Sequence, residues 1–230
     1  MGRTLDVTTS WMASIARGGA GMRASHVGAR PAKRLELYEF EACPFCRRVR
    51  EMLTALDLEA RILPCPKGGD RFRSIVRARG GKEQFPYLVD ANTGDSLYES
   101  SAIVAHLSKH YGEGGRPFSQ KIGGALPAGM LASAVRATKG GRARRSRAPE
   151  KDLELWSFEA SPYCRLVREA LCELELPYVL HNVGKGSPSR DAFVARSNRM
   201  MVPYLADPNT SREMFESKEI VRYLNETYAT

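Results

Sequence analysis

The chain has 230 residues, 43% of them hydrophobic and 27% charged, with a formal net charge of +9, an ordinary globular composition for one or two domains. No run approaches the roughly 18 apolar residues of a bilayer span, and no continuous apolar stretch near the N-terminus reads as a secretory signal. The cysteines (Cys43, Cys46, Cys65, Cys164, Cys172) are odd in number and lack framework spacing; this speaks against a disulfide scaffold and for a reducing, cytoplasmic setting.

In chain order, 1–34 is rich in Arg and Ser and poor in acid, as a transit peptide would be. Yet Trp11-Met12-Ala13-Ser14-Ile15-Ala16-Arg17 returns loosely as Met130-Leu131-Ala132-Ser133-Ala134-Val135-Arg136. A cleaved address has no reason to recur, so organellar targeting is not the expectation. Each leader reads as a short amphipathic helix that belongs to the repeating unit, packed on a surface of such a unit or docked on a membrane surface or protein partner.

Leu35–Phe40 predicts a strand, and the turn at Ala42-Cys43-Pro44 opens a helix in which Val49, Leu53 and Leu56 recur at helical spacing. Ala60–Leu63 predicts a second strand, Lys67-Gly68-Gly69 a turn, and Phe72–Arg79 a helix. Tyr87–Val89 and Ser96–Tyr98 flank Asn92-Thr93-Gly94 as a hairpin, and Ser100 begins a last helix with Ile103, Val104 and Leu107 inward. The connection at 113–152 carries Arg136, Lys139, Arg142, Arg144, Arg145 and Arg147. It reads as a solvated, flexible basic linker, with an anionic membrane surface or a protein as conceivable partner. No aromatic residues interleave the arginines, so nucleic acid is not an expected partner.

Then the pattern repeats. Leu35–Arg50 (LELYEFEACPFCRRVR) returns as Leu153–Arg168 (LELWSFEASPYCRLVR), Lys67-Gly68 as Lys185-Gly186, and Glu99-Ser100 as Glu216-Ser217. The expectation is an α/β chain of two tandem thioredoxin-like units, 35–112 and 153–230. Each has the order βαβαββα, a mixed four-stranded sheet and helices on both faces.

A thiol at a helix start is a better nucleophile than a free one, because the thiolate is the reactive form and helix N-termini and nearby cations stabilise it. The dipole alone contributes about 0.3–1 kcal/mol, under one pKa unit, so further donors or cations are needed. Arg47, one turn on from Cys43, is expected to reach back toward it. Cys43 then attacks, and Cys46 resolves the mixed disulfide. The second copy replaces Cys43 by Ser161 and has only Cys164 in its motif. Zinc normally takes four ligands; His106 and His110 share a helix face, but no second cysteine pair exists, so no metal is expected.

Strand, C-P-[FY]-C-R, helix, a Pro-preceded strand, and Glu-Ser opening the last helix: this arrangement resembles glutaredoxins and, most closely, the N-terminal domains of glutathione transferases. The resemblance implies that Cys43 is a glutathione-facing nucleophile and Pro86 a cis-proline. It implies that the Phe85 backbone pairs with glutathione like an added strand, and that Ser100, beside Glu99, holds the γ-glutamyl carboxylate. In the second unit it implies that Ser161 stabilises a glutathione thiolate, with Val202, Pro203, Glu216 and Ser217 completing the site, unless that copy is a degenerate scaffold. Neither unit leaves room for the all-helical domain that completes a transferase pocket, so conjugation is not expected.

The preferred reading is a glutathione-linked thiol–disulfide oxidoreductase, with glutathione as cosubstrate and thiols or disulfides as substrates. A non-catalytic glutathione-binding or protein-docking module, transferase-like activity and an iron–sulfur carrier stay open. Cys65, in Pro64-Cys65-Pro66, is a strand-end residue or a third redox thiol; Cys172 is expected to be packing.

Overall fold

The computed structural model describes residues 20–113 and 139–230; both leader helices expected from the sequence lie outside them. The first unit runs β1 (Leu35–Glu39), α1 (Pro44–Ala55), β2 (Ala60–Pro64), α2 (Arg73–Gly80), β3 (Tyr87–Asp90), β4 (Asp95–Leu97) and α3 (Ser100–Tyr111). The second repeats it as β5 (Leu153–Ser157), α4 (Pro162–Glu173), β6 (Tyr178–Asn182), α5 (Arg190–Ser197), β7 (Tyr204–Asp207), β8 (Arg212–Phe215) and α6 (Ser217–Tyr228). Within each unit the first two strands are parallel and the last two antiparallel, so the chain holds two thioredoxin-like domains in tandem. Among the described residues, no helix is long and apolar enough to cross a membrane.

The two four-stranded sheets expected from the sequence are joined into one. β2 pairs antiparallel with β6, giving the order β4-β3-β1-β2-β6-β5-β7-β8. Arg61 faces Val179, with Ala60 opposite Leu180 and Ile62 opposite Tyr178. Arg61 and Val179 are the same position in the two repeats, so a pseudo-two-fold axis passes between them. Antiparallel neighbours are exchanged by an axis perpendicular to the sheet. Equivalent helices therefore share a face, and α1 and α4 flank the axis together.

Strand alternation sends Leu35 and Leu37 to the face of α1 and α3, and Tyr38 to the face of α2. On the first face one core runs through both units, joining Leu37, Val49, Leu53 and Val104 to Leu155, Val167, Leu171 and Ile220. The other face carries two separate clusters, one around Tyr38, Phe72 and Val76, the other around Trp156, Phe193 and Tyr204. Asp90, ending β3, accepts hydrogen bonds from Tyr111 at 2.6 Å and His106 at 2.8 Å; Asp207, ending β7, accepts from Tyr223 at 2.6 Å and Tyr228 at 2.5 Å. These bonds fix α3 and α6 against their strands, and with them the Ser100 and Ser217 helix starts. His106 is thus bound to a buried carboxylate.

The segment ahead of each unit crosses to the other. Met22 O accepts from Lys185 N–H at 2.9 Å, and Gly141 O accepts from Lys67 N–H at 2.8 Å. The basic stretch 139–147 is accordingly no loose linker, although its Arg142, Arg144, Arg145 and Arg147 side chains are exposed. Arg144 N–H donates to Glu173 O at 2.7 Å and Arg147 N–H to Tyr228 O at 2.9 Å, which docks it as a strap along α4 and α6.

Candidate functional site

Cys43 caps α1. Its backbone is extended (φ −76°, ψ 121°), its Sγ accepts from the Cys46 N–H at 3.2 Å, and Pro44 occupies the first helical position, where no N–H is needed. Ser161 does the same for α4, its Oγ accepting from Cys164 N–H at 3.3 Å. Hydrogen bonds from the Cys46 thiol and N–H hold the Cys43 pKa below the usual thiol value, although burial opposes them. Burial pushes Cys46 well up. The first thiol is set to lose its proton and the second to keep it.

The same physics holds the other thiols protonated. Burial raises the pKa of Cys65, Cys164 and Cys172, and Cys65 donates to Leu63 O at 3.4 Å within the Tyr38 cluster.

Arg47 does not reach back to Cys43. Its Nε pairs with Glu51 at 3.3 Å and Glu159 at 3.6 Å. It belongs to a buried ion network astride the axis between α1 and α4. Arg50 binds Glu39, Glu159 at 3.0 Å and Glu41 at 3.3 Å; Arg168 binds Glu159 at 2.9 Å and Glu41 at 3.0 Å. All five side chains are at most 3% exposed. The cation expected beside the thiol is therefore engaged elsewhere, and hydrogen bonds to Cys43 take its place. Sequence reading missed this network, because Arg and Glu one turn apart look like a solvated helix face. The available signal was repetition: Arg47, Arg50 and Glu41 recur as Arg165, Arg168 and Glu159.

The Phe85–Pro86 and Val202–Pro203 peptides are both cis. Phe85 sets its ring edge-on to Phe40, 6.2 Å away, and Phe40 O accepts from Cys43 N–H at 3.1 Å, so the Phe85–Pro86 corner stands beside the Cys43 turn. In the second unit a cleft of about 310 Å³ gathers Val202, Pro203, Glu216 and Ser217 with Tyr163 and Met201. Glu99 and Glu216 precede α3 and α6 at φ 65° and 67°. A non-glycine residue held there costs on the order of 1–3 kcal/mol, and such residues concentrate at ligand clamps. Cys43 and Ser161 are each only 4% exposed.

The Cys43 turn is built by both units. Glu41 N–H donates to Cys172 Sγ at 3.4 Å, Ala42 N–H to Gly140 O at 3.4 Å, and Cys172 Sγ–H to Gly140 O at 3.2 Å. Gly140 has φ +69°, and a Cβ there would lie 2.7 Å from Glu41 Cβ. Gly140→Val is expected to lose about 2–4 kcal/mol of stability through backbone strain and overpacking. Urea denaturation measures that loss, and a changed alkylation rate at Cys43 reports the displaced turn.

The family model described as the glutathione S-transferase N-terminal domain matches residues 37–116 and again 155–230. No curated protein matches the chain. Among solved structures, it is similar to Leishmania TDR1, a unique trimeric glutathione transferase, at 15% identity over 85% of this chain and 68% of that one; the TM-score of 0.31 gives that likeness no weight.

Proposed function

We propose a function from one premise: the chain belongs to the glutathione S-transferase N-terminal domain family, with two copies of that domain. Membership suggests glutathione as ligand. On our reading the first copy is a glutathione-linked thiol–disulfide oxidoreductase, and the second is a cleft that binds glutathione through Ser161, Val202, Pro203, Glu216 and Ser217 without a redox pair. Cys43 Sγ attacks a disulfide that contains glutathione. A new S–S bond to Cys43 forms, the old one breaks, and the departing thiolate carries off the electron pair. A second glutathione thiolate, or Cys46, then releases the adduct. The observation that carries this is the pairing of a hydrogen-bonded, low-pKa Cys43 with a buried, proton-retaining Cys46 at one helix start.

The 4% exposure of Cys43 favours a second reading, a pocket that holds glutathione without turnover. Treatment with glutathione disulfide followed by peptide mass spectrometry separates the two. The oxidoreductase acquires one glutathionyl group on Cys43 or a Cys43–Cys46 disulfide, with Cys65, Cys164 and Cys172 unmodified. A binding module shows no covalent change, while reduced glutathione still raises its melting temperature.

A further inference from the structure

The repeated Lys-Gly pair and the basic strap meet beside the thiol turn. Lys67 N–H donates to Gly141 O at 2.8 Å and Ala143 N–H donates to Lys67 O at 3.0 Å, so Arg142 lies alongside Lys67 as in a parallel ladder. Such neighbours stand about 5 Å apart and send their side chains to the same side. Both side chains are exposed, and neither has a carboxylate partner among the described residues. Two like charges held side by side repel, so the pair costs stability when nothing is bound. The arrangement nevertheless occurs twice. Lys185 N–H donates to Met22 O and Ala24 N–H to Lys185 O, each at 2.9 Å, which sets Arg23 alongside Lys185, both again exposed. A repulsive pair built into both halves suits an anion that it would hold.

The first pair borders the approach to Cys43 from two directions. On the strap, Gly140 O accepts from Ala42 N–H at 3.4 Å, in the turn that opens α1, two residues before Arg142. From the other direction, Arg73 ties Pro66, the neighbour of Lys67, to the cis corner. Its Nε donates to Pro66 O at 2.8 Å, and its guanidinium lies 4.8 Å over the Phe85 ring. Phe85 stands edge-on to Phe40, whose carbonyl accepts from Cys43 N–H at 3.1 Å. Arg73 is itself paired with Glu83, so the uncompensated charge of this rim comes from Lys67 and Arg142. Asp70, exposed three residues past Lys67, leaves that charge in excess.

Resting on the reading of Cys43 as nucleophile, we propose that Arg142, a residue of the second unit's strap, sets the substrate specificity of the first unit: with Lys67 it selects disulfides that carry a carboxylate near the sulfur. Arg142 lies between the two stretches matched to the family model, so this cation comes from outside the family domain. Its attraction raises the local concentration of an anionic disulfide at the Cys43 turn and leaves the chemistry at sulfur unchanged.

The test compares two reagents on the full chain, dithiobis(nitrobenzoate), with a carboxylate on each half, and dithiodipyridine, which is uncharged at neutral pH. Peptide mass spectrometry locates the first adduct at Cys43, and the readout is the ratio of the anionic to the neutral rate. At about 0.1 M ionic strength, where a charge acts over about 10 Å, Arg142→Ala should lower that ratio about threefold and Arg142→Glu about tenfold, with the neutral rate unchanged. Arg142→Lys should keep most of the ratio, and about 1 M salt should erase the differences. Arg145→Ala, another exposed arginine of the same strap, should leave the ratio near wild type. Equal slowing with both reagents, an unchanged ratio in Arg142→Glu, or an equal effect of Arg145→Ala overturns the proposal. A parallel run with glutathione disulfide separates it from the glutathione function. If that reagent leaves Cys43 unmodified while the ratio still depends on Arg142, the glutathione function fails and the selection stands. If Cys43 accepts glutathione while the ratio ignores Arg142, the selection fails alone. If Cys43 reacts with none of the three reagents, both fall.

Discussion

Cys43→Ser is expected to slow glutathione-dependent reduction of a mixed disulfide by about a thousandfold or more, because a serine hydroxyl without an adjacent base is not a competent nucleophile. Cys46→Ser should cost far less, about tenfold or under, since external glutathione can release the adduct. The contrast has a structural basis. The Cys46→Ser variant keeps the backbone N–H that reaches Cys43 Sγ at 3.2 Å and replaces one side-chain donor with another. Cys46→Ala removes that donor, so the Cys43 pKa should rise and the rate at pH 6 should drop more than the rate at pH 9. Steady-state rates over that range, measured on all three variants, check the order. Equal loss in Cys43→Ser and Cys46→Ser would reverse the assignment of roles.

Glu159→Ala is expected to be the most destabilising single change outside the apolar core. Glu159 lies across the axis from α1, where it binds Arg50 at 3.0 Å and Arg47 at 3.6 Å, and it binds Arg168 on α4 at 2.9 Å. Removing one member of a buried network leaves charge without compensation, at about 3–5 kcal/mol. For a chain of this size that corresponds to a fall in melting temperature of about 10–15 °C. Glu219→Ala provides the contrast: its pair with Arg222 is exposed at both ends and should contribute under about 1 kcal/mol. Acid acts on Glu159 in the same direction as the mutation. Burial opposes its charge, but Arg168 and Arg50 hold its pKa down to about 2. Its stabilisation is complete above the ordinary carboxylate range near pH 4.3 and is lost as pH falls toward 2. Calorimetry on wild type and Glu159→Gln between pH 2 and 5 should show the wild-type advantage shrinking across that window.

Much of each domain was legible in the sequence, for local reasons. Leu35 and Leu37 alternate, Pro44 marks a first helical turn, and Asn92-Thr93-Gly94 closes a hairpin; each signal involves neighbours in the chain. The candidate cleft of the second unit was legible because Val202-Pro203 and Glu216-Ser217 are short motifs. What stayed hidden depends on residues far apart. Nothing in Ala60–Pro64 announces that it pairs with Tyr178–Asn182, since a paired edge and a free edge have the same side-chain alternation. The docking of 139–147 was hidden because it depends on backbone groups, which the side-chain pattern does not announce, together with Arg144 and Arg147 reaching Asn225 and the Thr227 carbonyl on α6. Arg47 went wrong for the same reason: helical spacing allows it to face Cys43, and only the second unit offers it Glu159.

The join between β2 and β6 has a consequence for how the two copies can differ. In a dimer of identical chains, a residue on the symmetry axis meets its own copy, and each contact must be solved twice with one side chain. Position 61 would then set arginine against arginine. Covalent fusion lifts that restriction: Arg61 meets Val179 and turns instead to Asp152 at 2.6 Å and Glu36 at 3.4 Å. The same freedom lets Glu39 stand opposite a site that holds Ser157, and Cys43 opposite one that holds Ser161. A self-complementary interface permits no such specialisation, and here one polypeptide carries two unequal halves of a single symmetric frame.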